Sequence, residues 1–164
     1  MFFEVEALYQ RKTQDIKLGL DVESRILALL GNPQSACPII HVAGTNGKGS
    51  VCAMIEAVLR AAGLKTGLYT SPHLVRFNER IRVGGKPVTD GELGALFDQV
   101  DRADREQAAG PGSRLATFFE FITAATLEHF RRSGVQVMVL ETGLGGRLDA
   151  TNVVRPVISV ITRL

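Results

Sequence analysis

The stretch HVAGTNGKGSV, residues 41–51, has the residue types of a loop that binds phosphate. Its glycines leave backbone N–H groups open to an anion, Lys48 supplies a positive charge, and Ser50 supplies a hydroxyl for Mg²⁺. The usual nucleotide loop reads G-x-x-x-x-G-K-[ST], with the hydroxyl directly after the lysine. Here Gly49 stands between Lys48 and Ser50. A plain glycine-rich turn is the alternative, and the combination of Gly, Lys and Ser favours phosphate binding.

Two predicted strands and a helix place this loop. The apolar run 37–44 predicts a buried strand, residues 50–63 predict a helix, and residues 64–70 predict the next strand. We expect the apolar residues of the helix to share one face: Val51, Met54, Ile55 and Val58. A strand, a glycine-rich loop, a helix and a strand form the nucleotide-binding start of a parallel α/β sheet.

The rest of the chain continues this alternation of helices and strands. Thr89 and Glu92 have the spacing of a capping box, which predicts the start of a helix. Together the patterns predict helices over 21–31, 90–107 and 115–133, an extended piece with a tight turn over 80–88, and buried strands over 134–141 and 157–164. The predicted fold class is α/β, a mostly parallel sheet flanked by helices and carrying a phosphate loop.

Two further residues follow predicted strands and could face the loop. Glu141 ends an apolar strand, and its carboxylate could hold Mg²⁺ or cap local backbone amides; the residues alone do not decide between these. Ser71, in TSPHL, could also face the phosphates, but a simple turn before Pro72 is the better interpretation of the residues alone.

Several other polar and aromatic residues have ordinary explanations. His41 lies within an apolar strand and is interpreted as a hydrogen-bonded core histidine, whereas His73 stays ambiguous. Most of the phenylalanines of 115–133 are expected in the core, and Phe118 or Phe119 could stack on a flat ring. A basic run could hold an anionic substrate or be only a solvated face: Arg76, Arg80, Arg82 and Lys86.

The overall composition indicates one ordinary globular domain. The chain has 164 residues, 45% of them hydrophobic, and a net charge of +2, which is too small to argue for nucleic acid or an anionic membrane. Cys37 and Cys52 form no C-x-x-C pair, and we expect Cys52 to be buried. No signal peptide or membrane span is visible, so we expect a cytoplasmic protein that binds neither membrane nor nucleic acid.

Four motifs in this order resemble the folylpolyglutamate synthase/dihydrofolate synthase family of the Mur ligase superfamily: AGTNGKGSV, TSPHLVRFNERIRV, TFFEF and LETGLGGRLDATN. The resemblance extends from about residue 16 to the end of the printed sequence. In that superfamily G-T-N-G-K-[GT]-[ST] is the normal loop, so Gly49 is a feature of these ligases. The implied fold is the central-domain type of Mur ligases.

The resemblance implies an ATP-dependent amide ligase. A pteroate or folate carboxylate attacks the γ-phosphate of ATP to give an acyl phosphate and ADP, and the amine of L-glutamate then displaces phosphate. The implied catalytic residues are Lys48 and Glu141, and the implied Mg²⁺ ligands are Ser50, Ser71 and Glu141. The implied ATP-binding residues are Gly44, Thr45, Asn46, Gly47, Lys48, Gly49 and Ser50. The implied substrate-binding residues are Lys17, Leu18, Gly19, Thr117, Phe118, Phe119, Glu120, Leu148, Asp149 and Ala150.

The sequence departs from the family pattern at its end. A D-H-x-x-x-L-G segment, a later lysine and a C-terminal glutamate-ligase domain are expected in the family, and none occurs in these 164 residues. We therefore expect an incomplete N-terminal ATP-binding domain over 1–164, inactive by itself. The alternatives are another Mur-type ligase, acting on cell-wall precursors, and a nucleotide-binding module without turnover. The residues do not choose between dihydropteroate and folate, nor do they reveal the oligomeric state.

Overall fold

The computed structural model describes residues 8–9, 19–110 and 112–164. The principal helices are α1 (Asp21–Leu29), α2 (Lys48–Ala61), α3 (Asp90–Ala108) and α4 (Phe118–Arg132). The strands are β1 (Ile39–Ala43), β2 (Thr66–Tyr69), β3 (Ile81–Val83), β4 (Lys86–Pro87), β5 (Val137–Glu141) and β6 (Ile158–Ile161). Short 3₁₀ turns occupy Pro33–Ser35, Phe77–Arg80 and Ala150–Val153.

The six strands form one mixed sheet in the order β4-β3-β2-β5-β1-β6. Strands β2, β5, β1 and β6 pair in parallel. Strand β3 pairs antiparallel with both β2 and β4. Gly84 and Gly85 make the tight turn of the β3–β4 hairpin, with φ angles of 57° and 78° that favour glycine. The predicted mostly parallel sheet and the predicted extended piece with a turn are confirmed.

Helices cover both faces of the sheet. On one face, α2 packs over β1, β2 and β5, and Cys52 lies fully buried there, as predicted. On the other face, α1, α3 and α4 enclose the larger core, which includes the phenylalanines Phe97, Phe118, Phe121 and Phe130. The sheet is therefore a stable platform whose strand ends can hold a site.

Two predictions about apolar residues are wrong: the four apolar residues named for the helix do not share one face, and the last strand is not buried. Met54 and Val58 are 59% and 70% exposed, because α2 turns Cys52, Ile55 and Leu59 toward the sheet instead. The strand predicted as buried over 157–164 is the edge strand β6, in which Ile158 and Ile161 are 53% and 70% exposed. Among the described residues β6 pairs with β1 alone, so one edge stays open.

Several element boundaries differ from the predictions by two or three residues. The α2 helix begins at Lys48 rather than at residue 50, because Gly47 takes a left-handed φ of 82° and starts the helix there. The α4 helix begins at Phe118 rather than at 115, because Thr117 is its N-cap. The predicted capping box of Thr89 and Glu92 is present at the start of α3. No helix in the described part of the chain has the length and apolar content of a membrane span.

Candidate nucleotide and metal site

The predicted site residues meet at the carboxyl ends of three neighbouring strands. The phosphate loop follows β1, Ser71 lies just after β2, and Glu141 is the last residue of β5. These strands are adjacent and parallel, in the order β2-β5-β1. Ligands of open α/β sheets gather at this edge, because the loops after parallel strands converge there.

The phosphate loop presents the start of α2 without a side-chain cap. Gly47 occupies the N-cap position and has no side chain that could accept from the first amides of the helix. The open first turn and the helix dipole both favour an anion at this point. The Lys48 ammonium donates to the carbonyl oxygens of Gly44 at 2.9 Å and Thr45 at 3.2 Å, so it lies folded over the loop.

Residues just after β6 pack against the phosphate loop and accept hydrogen bonds from it. The amides of Thr45 and Asn46 donate to the carbonyl oxygen of Arg163 at 2.9 Å and 3.3 Å. Gly44 has a φ of 135°, and a Cβ there would overlap the Thr162 hydroxyl. Gly44 is therefore required both for its backbone angle and for the close approach of Thr162.

Glu141 contacts both the loop after β2 and the phosphate loop after β1. Its Oε2 accepts a hydrogen bond from the Ser71 amide at 2.9 Å. A Cβ built on Gly49 would stand 3.5 Å and 3.6 Å from the two carboxylate oxygens, so the carboxylate faces the phosphate loop. Burial raises the pKa of Glu141, while the Ser71 amide, Lys48 and the Gly49 amide act in the opposite direction. Glu141 thus caps the Ser71 amide and also faces the phosphate loop.

The donor set suits a hard cation such as Mg²⁺. Glu141 offers carboxylate oxygens, Ser71, whose amide donates to Glu141, carries a hydroxyl, and Mg²⁺ prefers oxygen ligands. No group of three or more His, Cys, Asp or Glu side chains arranged for a metal ion occurs within the described ranges. A cation at Glu141 would therefore complete its shell with hydroxyls, water and nucleotide phosphate.

The glycine-rich loop after β5 is folded around Asp149. One carboxylate oxygen of Asp149 accepts from the amides of Gly143 at 2.9 Å and Leu144 at 2.8 Å. The other accepts from the Thr151 amide at 3.0 Å and from the Thr151 hydroxyl. His41 is buried and hydrogen-bonded to Thr151, as expected of a core histidine, and burial lowers its pKa.

The segment 117–120, predicted to line the substrate site, also has a structural role at the start of α4. Thr117 and Glu120 form a capping box at the start of α4, which sequence analysis missed although the T-x-x-E spacing signals it. Glu120 also forms two hydrogen bonds with Arg114, at 2.7 Å and 2.8 Å. Phe118 lies in the core, whereas the Phe119 ring lies against Gly143, where any Cβ would overlap it.

The remaining substrate predictions are distributed around these loops. Leu148 is 45% exposed beside the buried Asp149 and Ala150. Gly19 precedes α1, and Lys17 and Leu18 lie outside the described residues. The assignments to ATP, metal and substrate binding stay predictions.

The basic run does not form one charged patch. Arg80 is buried, donates to Nδ1 of His73 at 2.9 Å, and places its guanidinium over the rings of Phe77 and Phe118. Arg76 is exposed beside Asp90 at 3.6 Å. Sequence analysis also missed Glu79, whose carboxylate accepts from three consecutive amides of the preceding loop, those of Leu74, Val75 and Arg76.

No family model matches the chain, but individual proteins resemble it in sequence. It is 41% identical over 152 residues to the dihydrofolate synthase/folylpolyglutamate synthase of Escherichia coli, covering 93% of this chain and 34% of that protein. It is 42% identical over 160 residues to a probable bifunctional folylpolyglutamate synthase/dihydropteroate synthase of Haloferax volcanii, covering 98% and 19%.

Solved structures of the same group share the fold. The folylpolyglutamate synthase of Thermotoga maritima matches with a TM-score of 0.89 and 38% identity, over 97% of this chain and 37% of that one. E. coli FolC in complex with DHPP and ADP matches with a TM-score of 0.86 and 40% identity, over 96% and 36%. A bifunctional folylpolyglutamate synthase/dihydrofolate synthase with Mn, AMPPNP and L-glutamate bound matches with a TM-score of 0.84 and 38% identity, over 95% and 37%.

Sequence and fold comparisons agree with each other. The identities lie near 40%, and the matches cover most of this chain. The chain spans about a third of the length of the solved relatives it matches. It belongs, by sequence and by fold, to the folylpolyglutamate synthase/dihydrofolate synthase family.

Proposed function

We propose that the chain forms the ATP-binding part of an ATP-dependent ligase that adds L-glutamate to dihydropteroate, to (tetrahydro)folate, or to both. The main support is the meeting of three features at one sheet edge: the start of α2 with glycine at its N-cap, the Lys48 ammonium, and the Glu141 carboxylate bonded to the Ser71 amide. Phosphate, magnesium and a carboxylate substrate are the partners that such an edge suits.

In this proposal the phosphate loop binds the nucleotide, and one carboxylate and two hydroxyls hold the metal. Amides from Gly44 to Ser50 bind the phosphates of ATP, and Lys48 leaves the loop carbonyls to meet them as a point charge. Ser50, Ser71 and Glu141 hold Mg²⁺, which supplies charge neutralisation when it is bound. Transfer of a phosphoryl group to a carboxylate brings anions together, so this neutralisation is the main requirement of the site.

We place the pteroate substrate beside the glycine-rich loop after β5. Phe119, within the segment 117–120, offers a ring next to Gly143, and Asp149, within the segment 148–150, accepts from the Gly143 amide. Lys17, Leu18 and Gly19 are proposed to lie near it. The partners in this account are small molecules, ATP, a pteroate or folate and L-glutamate, used in the cytoplasm.

A calorimetric titration with matched substrates tests the proposal. The chain is loaded with Mg²⁺ and a non-hydrolysable ATP analogue, and then titrated with dihydropteroate or with a UDP-muramoyl peptide precursor. We expect saturable binding of dihydropteroate and none of the muramoyl compound. Binding of the muramoyl compound instead would assign the chain to a cell-wall ligase. Absence of nucleotide binding would contradict the proposal as a whole.

A further inference from the structure

A chain of hydrogen bonds links strand β1 to the glycine-rich loop after β5. Nε2 of His41 lies 2.7 Å from the hydroxyl oxygen of Thr151, and that hydroxyl donates to Oδ1 of Asp149. All three side chains are buried, at 7%, 0% and 7% exposure. Buried polar groups that are fully paired hold a single arrangement, because breaking any one bond leaves the others unsatisfied.

The direction of each bond follows from the donors available. Three backbone amides and one hydroxyl donate to the Asp149 carboxylate, which acts only as an acceptor. Since the Thr151 proton is directed at Asp149, the Thr151 oxygen must accept from His41. This arrangement requires a proton on Nε2 of His41, and burial lowers the pKa of the ring against the opposing charge of Asp149, which favours the neutral form.

The bonds at Asp149 set the shape of the loop. The two amides that meet Oδ2 belong to Gly143 and Leu144, which come two and three residues after Glu141. The four donors use the roughly four acceptor positions of a carboxylate, so little capacity is left for a ligand. Asp149 thus gathers the loop toward the end of β5, where Phe119 packs against Gly143.

We propose that His41 and Thr151 are positioning residues that act through Asp149 to hold the glycine-rich loop in the form that receives the pteroate substrate. The proposal rests on the proposed function for the identity of the substrate. It gives His41 a role beyond core packing, and it gives Asp149 an indirect role in binding through the backbone of Gly143 and Leu144.

The test uses ¹⁵N-labelled chain and a set of matched variants. Thr151→Val removes the hydroxyl with little change in shape, and Thr151→Ser restores it. Thr126→Val is the control, because Thr126 is also fully buried and its hydroxyl donates to a backbone carbonyl, that of Ile122, outside the loop. His41→Gln keeps a donor near Nε2, and His41→Leu removes it. The readouts are the His41 ring nitrogen shifts, amide exchange rates of Gly143 and Leu144, and affinities for dihydropteroate and an ATP analogue.

We expect a proton on Nε2 of His41 in the unmodified chain. In Thr151→Val and His41→Leu, exchange at Gly143 and Leu144 should quicken, and dihydropteroate should bind about tenfold more weakly or worse, as expected when a charged group loses a hydrogen bond. Thr151→Ser, His41→Gln and Thr126→Val should stay within about twofold of the unmodified chain. For Thr151→Val, affinity for the ATP analogue should also stay within about twofold, because Lys48 and its loop are untouched.

The outcomes separate this proposal from the proposed function. Unchanged amide exchange rates at Gly143 and Leu144 in Thr151→Val would overturn the positioning role, and this result does not depend on which substrate the chain binds. Faster exchange with unchanged dihydropteroate affinity would overturn it as well. If the unmodified chain binds the ATP analogue but no dihydropteroate, the proposed substrate is wrong, and the exchange rates still decide whether His41 and Thr151 hold the loop.

Discussion

At the scale of single residues, two buried carboxyl groups have opposite surroundings. Glu141 accepts from the Ser71 amide and faces Lys48 and the phosphate loop. Glu23, on α1, is fully buried, and neither of its oxygens has a hydrogen-bond partner among the described residues. Burial raises the pKa of Glu23 well above its usual value, and the nearby charges of Glu120 and Asp149 raise it further. A carboxyl in that position is kept neutral because its charged form is costly.

The state of Glu23 predicts a pH dependence of stability. Because its pKa is higher in the folded chain than in the unfolded chain, its contribution is fully favourable below the usual value of 4.5 and is lost as the pH rises toward the folded pKa. Glu23→Gln removes this loss. We expect the variant to match the unmodified chain in urea midpoint below the usual pKa and to exceed it increasingly as the pH rises above that value.

Glu106→Gln is the control for this comparison, because Glu106 is exposed on α3. Its urea midpoint should follow that of the unmodified chain at every pH. A constant difference between Glu23→Gln and the unmodified chain across the pH range would show that Glu23 does not titrate as described.

The sequence predicts some residues at the candidate site better than others. Lys48, Ser71 and Glu141 could be placed at one edge because each follows a predicted strand, and parallel strands bring their carboxyl ends together. The structure does bring Ser71 and Glu141 together. The cap that Glu120 forms on α4 is signalled by the local T-x-x-E spacing, whereas its pairing with Arg114 depends on how the preceding loop folds. The hydrogen bond between His41 and Thr151 could not be predicted from local sequence, because 110 residues separate the two.

At the scale of elements, the fit between strand β2 and helix α4 depends on a glycine. Gly67 lies in β2 between β3 and β5, and a Cβ there would come within 2.8 Å of the Phe130 ring. Phe130 is itself fully buried on α4, so its ring has little room to move. The absence of a side chain at Gly67 therefore lets the helix pack close to the sheet.

We predict that Gly67→Ala destabilises the fold by about 1–3 kcal/mol, the usual cost of overpacking a core. Gly91→Ala is the matched control: Gly91 lies in α3 with nothing within 4 Å of an added Cβ, and alanine favours the helix. Urea unfolding should give a lower midpoint for Gly67→Ala and an equal or higher one for Gly91→Ala. Equal midpoints for Gly67→Ala and the unmodified chain would contradict the packing described.

Element types could be predicted from periodicity and caps, whereas burial depended on tertiary structure. The pattern of α2 contains two apolar stripes, and nothing local tells which stripe meets the sheet; Met54 and Val58 belong to the exposed one. The pattern of β6 is that of a central strand, because Ser159 is the one polar residue among its four. Its place at the edge follows from the order of the strands, which local sequence does not encode.

At the scale of the whole molecule, the chain contains the edge proposed to bind ATP and spans about a third of the length of its solved relatives. Amide formation requires that the glutamate amine meet an acyl phosphate, and positioning of two reactants contributes about 7–11 kcal/mol to catalysis. We predict that the 164-residue polypeptide, given ATP, Mg²⁺, dihydropteroate and radiolabelled glutamate, forms no labelled dihydrofolate above background. Formation at a rate near that of a full-length E. coli relative, assayed in parallel, would contradict this prediction.

The most direct test of the central claim is a titration of the chain with a fluorescent ATP analogue, with and without Mg²⁺. Three proteins are compared: the unmodified chain, Lys48→Met, and Lys86→Met, which removes an exposed lysine of the hairpin as a control for charge. We predict saturable binding that Mg²⁺ strengthens, at least about tenfold weaker binding for Lys48→Met, and binding within about twofold of the unmodified chain for Lys86→Met. Equal affinity of well-folded Lys48→Met and the unmodified chain would contradict the assignment of this loop to ATP.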